Sequence, residues 1–207
     1  MNYLAHAYLS FRNPDILAGN MISDFVKGKK INEYPVGVIN GIRLHRKIDA
    51  FTDTHPCTRE MKSFFKKDYR LYAGAFADIV YDHFLANDPH EFSGALVLQT
   101  FAEETYAVLR RYENIFPDPF RRMFPFMQEH DWLFNYRTRW GIGRSFEGLV
   151  RRAAYLEDAG SAIRIFEKEY ASFLPVYSVF FQELKAYTIE QMRFFYILAR
   201  PYLYENN

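Results

Sequence analysis

Residues 41–56 read GIRLHRKIDAFTDTHP, and this stretch indicates the fold class of the chain. Through it and just before it, apolar residues recur mainly at the three- and four-residue spacing of a helix with one buried face: Val38, Ile42, Leu44, Ile48 and Phe51. Alternating runs of Val, Ile and Thr, which are typical of strands, are absent from the sequence. Since the same spacing continues along the chain, we expect an all-α fold.

The same stretch carries a stripe of polar residues. His45, Asp49 and Asp53 follow one another at four-residue spacing, which places them along one face of a helix. Imidazole nitrogens and carboxylate oxygens on one face can share a divalent metal such as Mn²⁺, Fe²⁺, Zn²⁺ or Mg²⁺. The alternative is a solvated face on which Asp49 pairs with Arg46 or Lys47. The stripe alone leaves both interpretations open.

Outward from this stretch, the apolar spacing predicts helices near residues 2–11, 14–27, 36–54, 56–67, 71–87, 91–112, 141–156 and 160–205, the last one broken before Pro175. Gly28 and Gly160 are expected to end helices. The stretch 117–140, with three prolines, is the most loop-like part, either a lid or a connection. We expect one domain over residues 1–207, a helical bundle with its metal-site helices within residues 1–90.

The composition argues against several classes of protein. Cys57 is the only cysteine, so an intramolecular disulfide is impossible and a reduced cytoplasm is expected. No apolar run approaches the roughly 18 residues of a membrane span, and the N-terminus lacks the features of a signal peptide. The net charge of +1 argues against nucleic-acid binding through bulk electrostatics. Aromatic residues make up 19% of the chain, which indicates an aromatic core, an apolar groove or both.

A second polar pair lies in the segment FADIVYDHFL, residues 76–85. Asp82 and His83 are framed there by apolar residues, so both are expected to be at least partly buried. A buried carboxylate needs a cation or strong hydrogen-bond donors. Asp78 lies one turn earlier and is either a further ligand or a residue of the helix surface. This helix therefore favours a metal site shared with the stripe.

Two earlier predicted helices add further polar residues. His6 lies in the apolar segment NYLAHAYL, and Asn20 and Asp24 lie one turn apart in LAGNMISDFVKG. A lone histidine on an apolar face is more often a hydrogen-bonded core residue than a ligand. Here, however, four helices within the first 85 residues place His or Asp in apolar surroundings, and helical bundles build metal sites from facing helices.

The remaining candidates are weaker. His55, His90 and His130 are expected to be structural or solvated, and Cys57 has no base at a spacing that would make it a nucleophile. The sequence contains no glycine-rich phosphate loop, no GxSxG and no CxxC pair.

The motifs quoted above resemble those of a known family. The strings MNYLAHAYLS, LAGNMISDFVKG, GIRLHRKIDAFTDTHP and YDHFL, in this order, resemble the acyl carrier protein phosphodiesterase family, and a looser match runs through residues 135–152. The resemblance implies a helical fold distantly related to the HD-domain phosphohydrolases and a Mn²⁺-dependent hydrolysis. The substrate would be holo-acyl carrier protein, and the products apo-carrier protein and 4′-phosphopantetheine. By motif position it carries over to six residues: His6, Asp24, His45, Asp49, Asp82 and His83.

These observations give a hypothesis for the roles of the residues. His45, Asp49, Asp82 and His83 are expected to bind the metal, with His6 and Asp24 as further ligands or as residues that orient ligands. Asp24 is also the candidate general base, so that the expected catalytic residues are Asp24, His45 and Asp49. Arg43, Arg46 and Lys47 are the basic residues nearest the stripe, and Arg46 and Lys47 are the expected phosphate contacts.

A second basic cluster contains Arg137, Arg139, Arg144, Arg151 and Arg152. Arg144 and Arg151 are seven residues apart and share a helix face, which would suit an acidic carrier protein; a solvated surface is the alternative. Two other functions also remain open. One is an HD-like phosphohydrolase for a nucleotide or another small phosphodiester, and the other is a noncatalytic helical binding module. The sequence leaves the oligomeric state open.

Overall fold

The computed structural model describes residues 1–203 and the side chains of residues 1–194. Every regular element within residues 1–203 is helical, which confirms the all-α fold class. The α-helices are α1 (Tyr3–Tyr8), α2 (Pro14–Ile22), α3 (Val36–Thr54), α4 (Pro56–Tyr69), α5 (Ala73–Ala86), α6 (Ala95–Arg110), α7 (Asp118–Glu129), α8 (Trp132–Asn135), α9 (Arg139–Arg152), α10 (Gly160–Lys168) and α11 (Tyr170–Leu203). Short 3₁₀ turns, including Ser23–Phe25 after α2, connect several of them.

The prediction that residues 117–140 form a loop-like stretch is wrong. Most of it is helical, in α7 and α8. Pro119 falls in the first turn of α7, where a missing N–H costs nothing. The side chains of Phe120, Phe124 and Met127 bury one face of the helix at four- and three-residue spacing. The aromatics that looked scattered are therefore the apolar face of an amphipathic helix.

The C-terminal part needs one further correction, at Gly160, and has its break before Pro175 as predicted. Gly160 begins α10 instead of ending a helix, and its N–H donates to the Asp158 carboxylate just before it. The expected break falls at Glu169, and α11 then continues through Pro175. Buried side chains recur along α11 on both sides of this proline, so packing holds the helix together. Residues 204–205 of the predicted helix lie outside the described residues.

The close packing of α2 against α3 positions the polar residues of the first helices. A Cβ on Gly19 would lie 2.0 Å from the carbonyl oxygen of Val38, and one on Gly41 would lie 2.3 Å from that of Ile16. No side chain fits at either position, because real Cβ atoms do not approach backbone so closely. The two glycines thus allow backbone-to-backbone contact, which brings Asn20 next to the buried face of α3.

An aromatic core lies on the other side of α5. The rings of Phe65, Phe76, Phe146, Phe166 and Phe173 contact one another in stacked and edge-on pairs. All five are almost fully buried. Such pairs add to the stability that burial alone supplies, and they fix the position of α5 between α4 and α9. Within residues 1–203, no helix is both long and apolar enough to cross a membrane.

Candidate metal centre

A pocket of about 190 Å³ opens between α1, α2, α3, α5 and α9. His6 from α1 and His45 from α3 lie in it and are buried, with 3% and 5% of their surfaces exposed. Asp49, one turn after His45 on α3, is half-buried. Asp24, in the 3₁₀ turn after α2, is the most open of the four. The structure therefore brings His6, Asp24, His45 and Asp49 together, as the sequence predicts for these four residues.

Asn20 fixes the orientation of both imidazoles. The Oδ1 atom of Asn20 lies 2.8 Å from His6 Nδ1, and its backbone carbonyl oxygen lies 2.8 Å from His45 Nδ1. Oxygens of this kind only accept hydrogen bonds, so both Nδ1 atoms carry a proton, and in the neutral form of each ring the lone pair is on Nε2. The Asn20 amide group donates to the carbonyl of His6 at 2.9 Å and to Ser10 Oγ at 3.1 Å. Asn20 itself is fully buried.

The Nε2 atoms of both rings point towards the aspartates. His6 Nε2 lies 3.3 Å from Asp49 Oδ1, and His45 Nε2 lies 3.0 Å from Asp49 Oδ2. Asp24 Oδ1 lies 3.1 Å from His45 Nε2. Metal bonds of 2.0–2.2 Å to nitrogen and oxygen would put neighbouring ligand atoms roughly 3.0 to 3.4 Å apart. These separations are those of atoms that share one ion.

Two buried atoms in this group make no hydrogen bond. They are His6 Nε2 and Asp49 Oδ1, which face each other across the pocket floor. Leaving buried acceptors unsatisfied costs free energy, and a cation between them would remove that cost. The ligand atoms of His6, His45 and Asp49 all lie within 4.8 Å of one another. The residues present therefore fit a divalent metal.

The pKa values of these side chains show that one positive charge is favourable within the group. Burial opposes a charge on His45, but hydrogen bonds to Asp24 and Asp49 raise its pKa to about 9. Burial and the neighbouring His45 lower the pKa of His6 to about 4. The two rings are stacked with their centroids 3.9 Å apart, so a second positive charge there is unfavourable. Burial alone would raise the pKa of Asp49, yet the two imidazoles hold it well below its usual range.

Asp78 on α5 faces the same pocket but lies outside the group of ligand atoms. Its Oδ1 atom lies 3.1 Å from the amino group of Met1, which is also 3.5 Å from Asp49 Oδ1. Burial raises the pKa of Asp78, against the effect of this amino group. A positive charge thus already lies between the two carboxylates at the edge of the pocket.

The structure does not support Asp82 and His83 as metal ligands, contrary to the prediction. Asp82 turns towards the start of α1, where it accepts hydrogen bonds from the backbone N–H groups of Leu4 and Ala5 at 2.7 and 3.3 Å. His83 turns the opposite way, and its two ring nitrogens lie 2.8 Å from the Tyr136 carbonyl oxygen and 2.9 Å from the Tyr170 hydroxyl. Neither residue joins the group of ligand atoms. Both are buried polar residues whose partners come from within the protein.

Arg46, Lys47 and Asp53 also make their contacts away from the ligand atoms of His6, His45 and Asp49. The guanidinium of Arg46 donates to the carbonyl of Val26 at 2.9 Å, and Lys47 donates to Gln191 on α11 at 2.6 Å. Neither residue lines the pocket, so the expected phosphate contacts of Arg46 and Lys47 are not supported. Asp53, one turn beyond Asp49, forms an exposed ion pair with Lys62 at 2.7 Å.

Of the remaining candidates, His130 is exposed, and His55, His90 and Cys57 have ordinary surroundings. His55 caps α4 through the N–H of Cys57, and its Nε2 atom lies 3.1 Å from Glu183 on α11. His90 is exposed in a turn. Burial raises the pKa of the Cys57 thiol, which disfavours the reactive thiolate. None of these three residues lines the metal pocket.

Arg144 and Arg151 line a second cavity, of about 360 Å³, beside the metal pocket. Its walls include the aromatic side chains of Tyr3, Phe126, Trp132, Tyr136 and Trp140. The two cavities share four residues: Asn2, Tyr3, Ile79 and Arg152. The sequence places Arg152 in a basic cluster but indicates no role for it at the candidate metal centre. Its only local signal is a basic residue in the last turn of a helix, which is too common to identify a site.

Comparison with known proteins yields one family. The family model described as acyl carrier protein phosphodiesterase matches residues 1–184. The chain is 31% identical over 173 residues to the acyl carrier protein phosphodiesterase of Photorhabdus laumondii subsp. laumondii, an alignment that covers 84% of this chain and 87% of the relative. It is 30% identical over 170 residues to the protein of that name from Serratia proteamaculans, covering 82% and 88%. These matches confirm the resemblance indicated by the motifs. No solved structure matches the chain.

Proposed function

Because the chain belongs to the acyl carrier protein phosphodiesterase family, we propose that it hydrolyses the phosphodiester joining 4′-phosphopantetheine to a serine of holo-acyl carrier protein. Water adds to phosphorus, the bond between phosphorus and the serine oxygen breaks, and the serine oxygen takes up a proton. The products are apo-acyl carrier protein and 4′-phosphopantetheine. The observation that supports the proposal best is the buried group of His6, His45 and Asp49, whose ligand atoms converge at the floor of an open pocket.

The metal we propose for this site is Mn²⁺. It would be held by the Nε2 atoms of His6 and His45 and by the carboxylate of Asp49, a mixed nitrogen and oxygen set that suits a borderline divalent ion. When bound, such an ion lowers the pKa of water and neutralises charge on phosphate oxygens. Asn20 supports the set by keeping the proton of both rings on Nδ1, away from the ion.

Asp24 is the proposed general base. Its hydrogen bond from His45 lowers its pKa, so the carboxylate is available to accept a proton at neutral pH. It is the most exposed member of the group and lines the pocket, so substrate and water can reach it. Its Oδ1 atom contacts His45, a proposed ligand, at 3.1 Å. Asp24 can therefore take the proton of the attacking water.

The acidic carrier protein is proposed to dock on the α9 side of the pocket. Arg144 and Arg151 are exposed there, beside the aromatic cavity that adjoins the metal centre. Arg144 contacts Glu147 at 2.9 Å, a surface ion pair that an incoming carboxylate can replace at little cost. Opposite charges across such a surface steer association and set orientation more than they add affinity. We also propose a cytoplasmic location, which the single cysteine favours.

The proposal is tested by incubating purified holo-carrier protein with the enzyme and Mn²⁺ and following its mass. The expected result is loss of the whole 4′-phosphopantetheine group, with free 4′-phosphopantetheine in solution and apo-carrier protein left behind. Hydrolysis of nucleotides or small phosphodiesters without any change in the carrier protein would instead indicate an HD-like phosphohydrolase of other specificity. A protein that binds no Mn²⁺, and whose melting temperature a chelator leaves unchanged, would be a noncatalytic module.

A further inference from the structure

The aromatic cavity beside the metal centre has no role in bond cleavage itself. It encloses about 360 Å³, within the usual range for small-molecule sites. Trp132 and Trp140 form part of its wall, and Phe126 lies at its rim with 58% of its surface exposed. Large exposed aromatic side chains beside a cavity are costly in water unless something covers them. Asn2, Asn135 and Ser145 add polar groups to the same wall.

This cavity adjoins the metal pocket. Asn2, Tyr3, Ile79 and Arg152 line both, so the two cavities lie next to each other and one elongated ligand could reach both. The metal pocket is the smaller of the two, at about 190 Å³, and its walls are the more polar. A ligand that spans both would have a charged end near His45 and a longer, less polar part among the aromatic rings.

Arg152 lies where the two cavities meet. It is in the last turn of α9 and lines both of them. Its side chain is exposed, and among the described residues its guanidinium has no hydrogen bond or ion pair. Arginine presents a planar set of donors that matches the oxygens of a phosphate group. An unpaired arginine at this junction is therefore suited to bind a phosphate that lies over the metal centre.

We propose that Arg152 binds the substrate phosphate and that the aromatic cavity binds the pantetheine arm. This inference rests on the proposed function and extends it by giving the two halves of the phosphodiester separate places. The arm combines methyl groups, which suit the faces of Trp132 and Trp140, with amide groups, which suit Asn135 and Ser145. The serine half of the diester then lies at the metal pocket, with the carrier protein on the α9 side, where Arg144 and Arg151 are exposed.

The chain carries its own reporter for this cavity, because both of its tryptophans, Trp132 and Trp140, line it. We would titrate the Mn²⁺-loaded protein with 4′-phosphopantetheine and follow tryptophan fluorescence. A saturable change is expected. Arg152→Ala should weaken this binding roughly ten- to a hundredfold, the value of a charged hydrogen-bonded contact. Arg110→Ala removes an exposed arginine of α6 that lines neither cavity and should leave the affinity unchanged.

Pantetheine and AMP separate the two halves of the proposal. Pantetheine lacks the phosphate, so it should bind more weakly than 4′-phosphopantetheine and equally well to the wild type and to Arg152→Ala. AMP has a phosphate but no pantetheine arm, and it should produce little change in fluorescence. The absence of a saturable response to 4′-phosphopantetheine would overturn the assignment of the cavity. A response to AMP as strong as that to 4′-phosphopantetheine would do the same, and an unchanged affinity in Arg152→Ala would overturn the role of Arg152.

A matched pair of glycine variants tests the cavity by filling it. Gly148 and Gly143 lie on the same helix, α9, and a Cβ at either position meets no heavy atom closer than 3.8 Å. Gly148 lines the aromatic cavity and Gly143 does not. Gly148→Leu should therefore weaken pantetheine binding and raise KM for holo-carrier protein, whereas Gly143→Leu should change neither. Equal behaviour of the two variants would contradict the proposal.

The two proposals can fail separately. If the wild type binds 4′-phosphopantetheine in the cavity but does not cleave holo-carrier protein, the proposed reaction is wrong and the binding site stands. If it cleaves holo-carrier protein while Gly148→Leu and Arg152→Ala behave as wild type, the reaction stands and the cavity assignment is wrong.

Discussion

His45 donates its Nδ1–H to the backbone carbonyl of Asn20 over 2.8 Å, across the interface between α2 and α3. This bond fixes which nitrogen of the imidazole carries the proton and aims Nε2 at the carboxylates. The side chain of the same asparagine holds His6 in the same way. One buried residue thus orients the nitrogens of both proposed ligands, which would lower the cost of ordering them when a metal binds.

Removal of the Asn20 side chain should therefore weaken metal binding. Asn20→Leu keeps the volume but leaves His6 Nδ1 without its acceptor, and we expect Mn²⁺ affinity to fall roughly ten- to a hundredfold, as for other residues that orient ligands. Isothermal titration with Mn²⁺ measures this. Thr58→Val, which removes a buried hydroxyl bonded to Tyr81 outside the metal pocket, controls for general destabilisation. An unchanged Mn²⁺ affinity in Asn20→Leu would refute the orienting role.

The stability of the protein should depend on pH through His83. Burial lowers the pKa of this histidine to about 4, from 6.5 in the unfolded chain. Between these two values the unfolded state binds a proton that the folded state excludes, so the free energy of unfolding falls as the pH falls. From about pH 7 to about pH 5 this loss amounts to about 2 kcal/mol. In His83→Gln that component is absent.

The measurement is urea denaturation of the chelator-treated wild type and of His83→Gln at both pH values. The wild type should lose about 2 kcal/mol more than the variant over this interval, because all other titrating groups are common to both. Parallel losses in the two proteins would show that His83 is not held neutral by its buried site.

The close contact between α2 and α3 leaves no room for a side chain at Gly41, so a substitution there should destabilise the protein. A Cβ there would meet the carbonyl oxygen of Ile16 at 2.3 Å, so Gly41→Ala must push the helices apart and should cost about 1 to 3 kcal/mol or more. Mn²⁺ affinity should fall as well, because Asn20 moves away from His45. Gly143→Ala, where the new Cβ meets only Ile163 at 3.8 Å, is the helical control and should be neutral or slightly stabilising. Equal stability of the two variants would contradict this account of the packing.

The basic face of α9 should matter for the carrier protein more than for the chemistry. Arg144→Glu combined with Arg151→Glu should raise KM for holo-carrier protein at least about tenfold more than KM for a small phosphodiester, since only the carrier protein presents an extended acidic surface. The matched charge reversal Arg110→Glu with Arg111→Glu, at the end of α6, should leave both values near wild type. Steady-state kinetics with both substrates decide this, and equal effects on the two substrates would rule out docking on α9.

Much of the candidate metal centre could be predicted because its signals are local. His45 and Asp49 are one turn apart on α3, and the helix 36–54 has the bounds that its apolar spacing predicts. His6 and Asp24 stand out as polar residues in apolar segments, and both line the pocket, where His6 is buried and Asp24 is exposed. These features follow from helical periodicity and the cost of burying polar groups, both of which can be estimated from neighbouring residues.

Asp82 and His83 show where local signals fail. Their apolar surroundings correctly indicate burial, but burial requires only that each group finds a partner. The partners of His83 are Tyr136 and Tyr170, more than fifty residues away in the chain, and those of Asp82 are backbone groups at the start of α1. Only the packing of α5 against the rest of the molecule determines whether such a residue faces a metal or a hydrogen-bond donor.

Local sequence patterns could not predict the aromatic cavity either. Its walls combine side chains from α1, α5, α7, α8 and α9. Part of it comes from residues 117–140, whose prolines suggested a loop although their aromatic side chains follow helical spacing. The position of Arg152 between two cavities depends on where α9 ends relative to α1, which is a property of the tertiary structure.

The most direct test of the central claim is the mass of holo-carrier protein after incubation with Mn²⁺ and each of three proteins: wild type, Asp49→Asn and His83→Gln. If His6, His45 and Asp49 form the centre that cleaves the phosphodiester, wild type and folded His83→Gln release 4′-phosphopantetheine, while Asp49→Asn is slower by more than about a hundredfold. Full conversion by Asp49→Asn, or loss of activity in a His83→Gln protein that still folds and binds Mn²⁺, would contradict the account.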